Sequence, residues 1–432
     1  MKGSVLRSVP TRWLKQLFPE GSAGRTILRR LHSAYASGRF IPGKRRRLWL
    51  ARREVWLELE RFEHAARDKG VPGVVAIFSS TTLTESEGQR STNMALELAR
   101  RGFKVLFLYW RWRADRWAPQ DRMPADILQM PLDLVTDAPD LLFRRFEWMR
   151  RVALIEFPHP SFFAAFAVAN AAGWLTVYEA VDDWEEFQRV GQADWYDPHF
   201  ERHLALAADA VFATHERLRQ RITGFGRQEV VLNPNGLAPE VALVDQPREA
   251  PRGSITIGYF GYLAQAWFDW PLIIDLARLE PDWRIHLIGY GADPTGLSIP
   301  ANVILLGKRD RKELASFASH WDAAIVPFKP DRLAASADPI KVYEYLAMGL
   351  PVVVTGVEPP VGGEEFVERA EGLEAFRSAI RHAASVGRAD ASARRAYAAS
   401  CTWARRVDQM LAALATDGRK VALKRALFQA RP

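Results

Sequence analysis

The stretch AASADPIKVYEYLAMGLPVVVT, from Ala334 to Thr355, reads as a loop, a helix, a tight turn and a strand. Asp338 is of a type that caps a helix start, and Pro339 then falls at the first helical position, where a missing N–H costs nothing. Helix formers follow as far as Gly349, which suits a left-handed position past the helix end, and Pro351 blocks continuation. Pro351 to Thr355 is a short, β-branched apolar run of the kind buried on both faces of a parallel sheet. A helix start is thus presented at a loop, with a core strand anchoring its far end.

A helix start carries unsatisfied N–H groups and partial positive charge, so it stabilises an anion such as a phosphate. Lys341 adds a full charge at that end, and Glu344, three residues on, shares its face. A carboxylate there can accept two hydrogen bonds from a vicinal diol such as a ribose. With Asp338 as cap, the loop amides of Ala335, Ser336 and Ala337 are the expected phosphate donors. On the residues alone, a surface Lys–Glu pair on an ordinary helix is the plainer reading.

Around this stretch the chain alternates strands and helices. Val74 to Phe78, Lys104 to Tyr109, Val152 to Ile155, Leu175 to Tyr178 and Asp209 to Phe212 read as strands. A second series follows: Ser254 to Gly261, Arg284 to Gly291, Asn302 to Gly307 and Asp322 to Phe328. Such alternation predicts parallel sheets covered on both faces, with ligands outside the carboxyl ends of the strands. Glycines where those strands end, Gly258, Gly261 and Gly289 among them, let a backbone approach a ligand closely. Residues 237–253 read as a linker, which gives an α/β chain of two Rossmann-like domains, 71–236 and 251–400.

Residues 1–70 differ. They carry Arg29-Arg30, Lys44 to Arg47 and Arg52-Arg53, with Leu48, Trp49, Val55, Trp56, Leu59 and Phe62 at roughly helical spacing. Two readings stand: a basic amphipathic helix on an anionic membrane surface through residues 25–62, or a structural segment, either a helical hairpin packed on the first domain or a leftover linker of a larger polypeptide. The 432 residues suffice for two or three sizeable cores. A net charge of +8 favours anionic partners. Nucleic acid is not expected, since the basic residues come without a reading module. One cysteine, Cys401, excludes a disulfide framework or a cysteine metal cluster. Neither a signal peptide nor a membrane span is apparent, which predicts a cytoplasmic protein, peripheral on the inner face of the plasma membrane if the basic segment binds there.

Lys341-Val-Tyr-Glu344-Tyr-Leu-Ala-Met-Gly349-Leu-Pro351-Val-Val resembles the nucleotide-sugar motif of GT-B glycosyltransferases, within glycosyltransferase family 4 and its bacterial cell-surface polysaccharide branch. Pro234-Asn235-Gly236 is similar to that family's signature at the interdomain junction, although on its own it is simply a strong turn. Residues 401–416 resemble the closing helix that crosses back to the first domain. The resemblance implies a GT-B fold with an interdomain cleft, and transfer of a sugar from a nucleotide-diphosphate sugar to a glycan or lipid-linked acceptor. It implies retention of configuration and neither metal nor resident cofactor. In the family the Glu corresponding to Glu344 grips the donor's ribose. Ser336 stands where many relatives carry a second Glu, and Tyr262 to Asp269 holds no cation where many carry an Arg and a Lys. A catalytically inactive nucleotide- or sugar-binding subunit is the alternative.

The expected donor side is therefore Gly258, Gly261, Gly289, Arg309, Ser336, Ala337, Pro339, Ile340, Lys341, Val342 and Glu344, with Lys341 and Lys329 stabilising the leaving diphosphate. On the acceptor side stand the loop Glu87, Gly88, Gln89 and Arg90, and Asp182, a carboxylate that can contact or deprotonate the acceptor hydroxyl. Asp183 reads as an N-cap paired with Glu186. His159 and His215 read as structural.

Overall fold

The computed structural model of the chain describes residues 42–68, 70–84, 88–110, 123–239, 254–291 and 296–415. Seven parallel strands form the first sheet: β1 Val74–Ser79, β2 Lys104–Tyr109, β3 Ile127–Pro131, β4 Arg151–Ile155, β5 Leu175–Ala180, β6 Ala210–Ala213 and β7 Val231–Leu232. Their order is β3-β2-β1-β4-β5-β6-β7. The sequence reading passed over β3, whose central Gln129 breaks the apolar run. That side chain is buried and accepts a hydrogen bond from the Leu83 amide at 3.4 Å. Helices α1 Pro42–Ala65, α2 Arg90–Arg100, α3 Leu132–Asp137, α4 Asp140–Phe143, α5 Phe163–Ala171, α6 Trp184–Arg189, α7 Pro198–Ala207 and α8 Glu216–Gly224 accompany this sheet.

The second sheet holds β8 Thr256–Tyr262, β9 Arg284–Tyr290, β10 Val303–Gly307, β11 Ala323–Pro327, β12 Val352–Thr355 and β13 Val367–Arg369, in the order β10-β9-β8-β11-β12-β13. All its pairings are parallel. Its helices are α9 Trp270–Leu279, α10 Arg311–Ala318, α11 Arg332–Ala335, α12 Ile340–Ala347, α13 Leu373–Val386 and α14 Ala391–Ser400. The run of valines in β12 is wholly buried, as its β-branched composition predicts for a central parallel strand.

In both sheets the strand order reverses beside the first strand, between β1 and β4 and between β8 and β11. A crevice opens there at the carboxyl ends of the strands. Those two ends face each other. The ring of Phe187, beyond β5, lies 5.9 Å from that of Trp267, beyond β8. Gly88, beyond β1, abuts Arg311, beyond β10.

The helix over 403–415 packs Trp403, Val407, Met410 and Leu414 into the first domain's core. Backbone bonds between Leu237 and the Cys401–Trp403 segment fasten its start. In α1, Val55, Leu59 and Phe62 are buried in the same domain, and Glu63 pairs with Arg145 at 2.7 Å. The apolar face of that part of the helix is therefore turned to protein. Residues 25–41 lie outside the described residues. Among the described residues no helix is long and apolar enough to cross a membrane.

Candidate active site

The centre of the site is the start of α12. Its N-cap is Pro339, with no side chain on the first amides. This corrects the expectation that Asp338 caps the helix. The Asp338 carboxylate instead accepts the Asn235 amide at 2.6 Å and the Tyr343 hydroxyl at 2.9 Å. The amides of Ile340 and Lys341 therefore have no partner among the described residues, while that of Val342 is bonded to the Pro339 carbonyl. A helix start left open in this way suits an anion.

The loop before it serves less well than the sequence indicates. The amides of Ala335 and Ala337 donate to the carbonyls of Asp331 and Ala334. The Ser336 hydroxyl is buried and donates to the Arg332 and Leu333 carbonyls. Their donors are committed within α11, so the anion-binding amides move from 335–337 to 340–341. The side chain of Val342 is buried in the second core, and that of Ile340 packs against the first domain's core, so Ile340 can offer a ligand only its backbone.

Lys341 runs along the backbone of Gly261. A Cβ on that residue would lie 2.9 Å from the lysine Cε, and φ there is +147°, a conformation that favours glycine. The Nζ sits 5.3 Å from the centre of the Tyr259 ring and 5.2 Å from that of Phe328. Burial pushes its pKa down to about 8, partly offset by Glu344. Gly289 is held by its neighbour, since a Cβ there would lie 1.8 Å from the Gly261 carbonyl.

Glu344 is buried, its side chain 4% exposed, and it forms an ion pair with Arg311. That arginine opens α10, past the carboxyl end of β10. Its guanidinium lies against Gly88 of the first domain, where a Cβ would come within 2.3 Å of Nη1. The acidic residue of the motif thus sits where the two lobes meet, not on an outer helix face. Gln89 is the N-cap of α2 and its carbonyl accepts from Asn93; Glu87 lies outside the described residues.

Arg90 has another task. Its guanidinium grips both Glu179 oxygens, at 3.0 and 2.6 Å, and donates to the Pro234 carbonyl and Asn235 Oδ1 at 3.1 and 3.2 Å. Asn235 continues the chain through Asp338, and Arg406 binds its carbonyl at 3.0 Å. Pro234-Asn235-Gly236 is therefore a knot between both domains and the closing helix, not a free turn. Arg90, expected on a solvated or acceptor-binding loop, is buried inside it.

Asp182 follows β5 and precedes α6, which packs near α11 across the cleft. Burial, then the neighbouring Asp183, raises its carboxyl to about 7. Asp183 caps α6, accepting from the Glu186 amide at 3.2 Å. Glu156, just past β4, is buried with Oε1 unpartnered among the described residues. Burial and the nearby Glu179 drive its pKa well up. Among the described residues no set of three His, Cys, Asp or Glu side chains is placed to hold a metal ion.

Residues 255–385 match the family of glycosyl transferases, group 1. Over that segment the chain is similar to group 1 glycosyl transferases. A sequence relative in Bacillus subtilis (strain 168) is a protein named as the teichuronic acid biosynthesis glycosyltransferase TuaH. It is 29% identical over 155 residues, which is 33% of this chain and 38% of that protein. The chain thus aligns with well under half of that relative. Solved structures share the whole architecture. A glycosyltransferase from Rickettsia africae ESF-5 superposes with a TM-score of 0.57 at 12% identity, over 81% of this chain and 99% of that one. WaaG, a glycosyltransferase involved in lipopolysaccharide biosynthesis, gives 0.52 at 14% identity over 78% and 98%. Anabaena Alr3699/HepE, solved with UDP and glucose, gives 0.51 at 14% identity over 79% and 99%. The fold is GT-B.

In the second domain three expected donor residues are placed elsewhere. Gly258 faces the core, where a Cβ would fall 1.9 Å from the Trp321 indole, so it makes room for packing. Arg309 is exposed and lies over the Phe317 ring at 5.5 Å. The Lys329 amino group donates to the Gln265 carbonyl. The cation that does reach Glu344 is Arg311, which sequence reading missed by two positions. Its signal was its place one helix start beyond a strand–glycine end. Glu156 and Glu179 were also missed; each is a carboxylate at the end of an otherwise apolar strand, Val152-Ala-Leu-Ile-Glu156 and Thr176-Val-Tyr-Glu179. His159 lies between the Trp110 and Trp195 rings, and His215 caps α8.

Proposed function

We propose that this chain transfers a sugar from a nucleotide-diphosphate sugar to a glycan or lipid-linked acceptor in cell-surface polysaccharide synthesis. The observation that carries the reading is the open start of α12, with Lys341 and the buried Glu344 beside it at the switch point of the second sheet. The diphosphate lies on the Ile340 and Lys341 amides, and the ribose diol bonds to Glu344. As the bond between the anomeric carbon and the diphosphate oxygen breaks, charge grows on the leaving group. Fixed amides and Lys341 lower that barrier because they need no reorganisation. Asp182, across the cleft, receives the acceptor hydroxyl's hydrogen bond, and the proton leaves through it as the new carbon–oxygen bond forms.

Retention of configuration, and transfer without a metal or resident cofactor, belong to the same proposal and rest on the family resemblance. TuaH and WaaG, named for teichuronic acid and lipopolysaccharide biosynthesis, support the acceptor class. Membrane contact by residues 25–62 would run through their basic side chains, since Val55, Leu59 and Phe62 are turned into the first domain. Vesicles with and without anionic lipid would measure it.

A transfer assay over UDP-, GDP-, ADP- and dTDP-sugars, with and without chelator, tests the reaction. Glu344→Ala should weaken nucleotide binding roughly 10- to 100-fold, the range for charge-assisted hydrogen bonds. Unchanged affinity would remove Glu344 from the site, and with it the reading.

A further inference from the structure

A departing diphosphate needs a guanidinium or ammonium that is free to meet it, and most cations near the cleft are not free. Arg90 is held by Glu179, Pro234 and Asn235. Lys329 is tied to the Gln265 carbonyl, and Arg309 lies exposed over Phe317. The loop Tyr262 to Asp269 supplies no cation. Lys341, held between two rings, supplies one ammonium to the leaving group but no bidentate fork.

Arg311 is differently situated. Its backbone is fixed by a capping box of Asp310 and Glu313 at the start of α10. Its side chain is 32% exposed and bonds to protein through Nη2 alone among the described residues. That single partner is Glu344, the carboxylate assigned to the ribose. On its other side lies Gly88, at φ +85°, whose missing side chain leaves the guanidinium its space. A glycine of one lobe and a carboxylate of the other thus hold a planar guanidinium at the cleft, with its Nε and Nη1 unpartnered among the described residues.

We propose that Arg311 is the diphosphate-binding guanidinium of this enzyme, resting on Glu344 in the empty site and turning to the phosphate oxygens when the ribose takes that carboxylate. The exchange leaves no buried charge unpaired. Glu344 trades an ion pair for two hydroxyl donors, and Arg311 trades one carboxylate for phosphate oxygens that accept its fork in a bidentate way. The inference rests on the assignment of Glu344 above.

The test compares UDP, GDP, ADP and dTDP with their nucleosides on the full chain, by calorimetry. In the wild type the preferred diphosphate should bind more tightly than its nucleoside. In Arg311→Ala that preference should shrink by about tenfold or more, while nucleoside affinity is kept or improved, as expected for loss of one charge-assisted phosphate contact. Arg311→Lys should restore part of it. An unchanged preference in both variants, with folding verified by thermal unfolding, overturns the inference, even if Glu344→Ala abolishes nucleoside binding and so upholds the ribose site. Equal losses for nucleoside and diphosphate also overturn it, since Arg311 would then only shape the pocket. Failure of every diphosphate to bind the wild type overturns both this and the reading beneath it.

Discussion

A buried carboxylate must be paired, protonated or used, and each kind is found around the cleft of this chain. Glu179 is paired with Arg90. Burial and its neighbour Glu179 push Glu156 toward the protonated form. Asp182 lies between, at about 7, because burial and Asp183 both oppose its charge. If it takes the acceptor proton, the transfer rate should rise through pH of about 7 and level off above. Asp182→Asn should lower the rate by roughly 10²- to 10⁴-fold, the usual worth of a positioned base, and remove that limb of the profile. Stability supplies an independent reading. Folding raises this pKa from 3.8 to about 7, so ionising Asp182 disfavours the folded state. The penalty is absent below the lower value, grows between the two and is complete above the upper. Asp182→Asn should therefore melt higher than wild type at about pH 8, and the advantage should vanish near pH 4. An equal difference at both would show that the carboxyl is not desolvated.

At the scale of elements, β8 and α12 work as a pair. The hydroxyl of Tyr345 accepts the Phe260 amide at 2.9 Å, and Lys341 lies along Gly261, so the helix is fixed against the strand from which the crevice opens. Gly258 contributes by packing rather than by touching a ligand. Gly258→Ala would drive a methyl group into Trp321, and overpacking of this kind costs about 1–3 kcal/mol. Urea unfolding should show that loss, while nucleotide affinity measured well below the transition stays unchanged. A selective loss of affinity with normal stability would return Gly258 to the donor site.

Across the whole molecule, the two lobes are joined by the buried knot of Arg90, Glu179, Asn235, Asp338 and Arg406. Removing one member of a buried pair strands the other. Arg90→Ala should therefore cost about 3–5 kcal/mol, whereas Arg90→Met with Glu179→Leu should cost much less. Urea unfolding of both variants checks this. If the double variant loses as much as the single, the value of the knot lies in its links to Asn235 and not in the ion pair.

The local sequence determined most of the architecture and singled out the helix start at the centre of the candidate site. Apolar runs alternating with helical stretches specify parallel sheets because strands buried on both faces must be apolar throughout. Pro339, Gly349 and Pro351 bound α12 through φ preferences that act within a few residues, although it was Pro339 and not Asp338 that took the cap. What only the tertiary structure decided is which charges are free. Arg90, Arg309, Lys329 and Arg311 are alike as letters, yet one is locked in an interdomain knot, one is exposed, one is tied to a carbonyl and one rests on Glu344. The partners that separate them come from up to 145 residues away, as with Arg90 and Asn235. An ion pair depends on distance in space and on burial, and neither is carried by spacing along the chain.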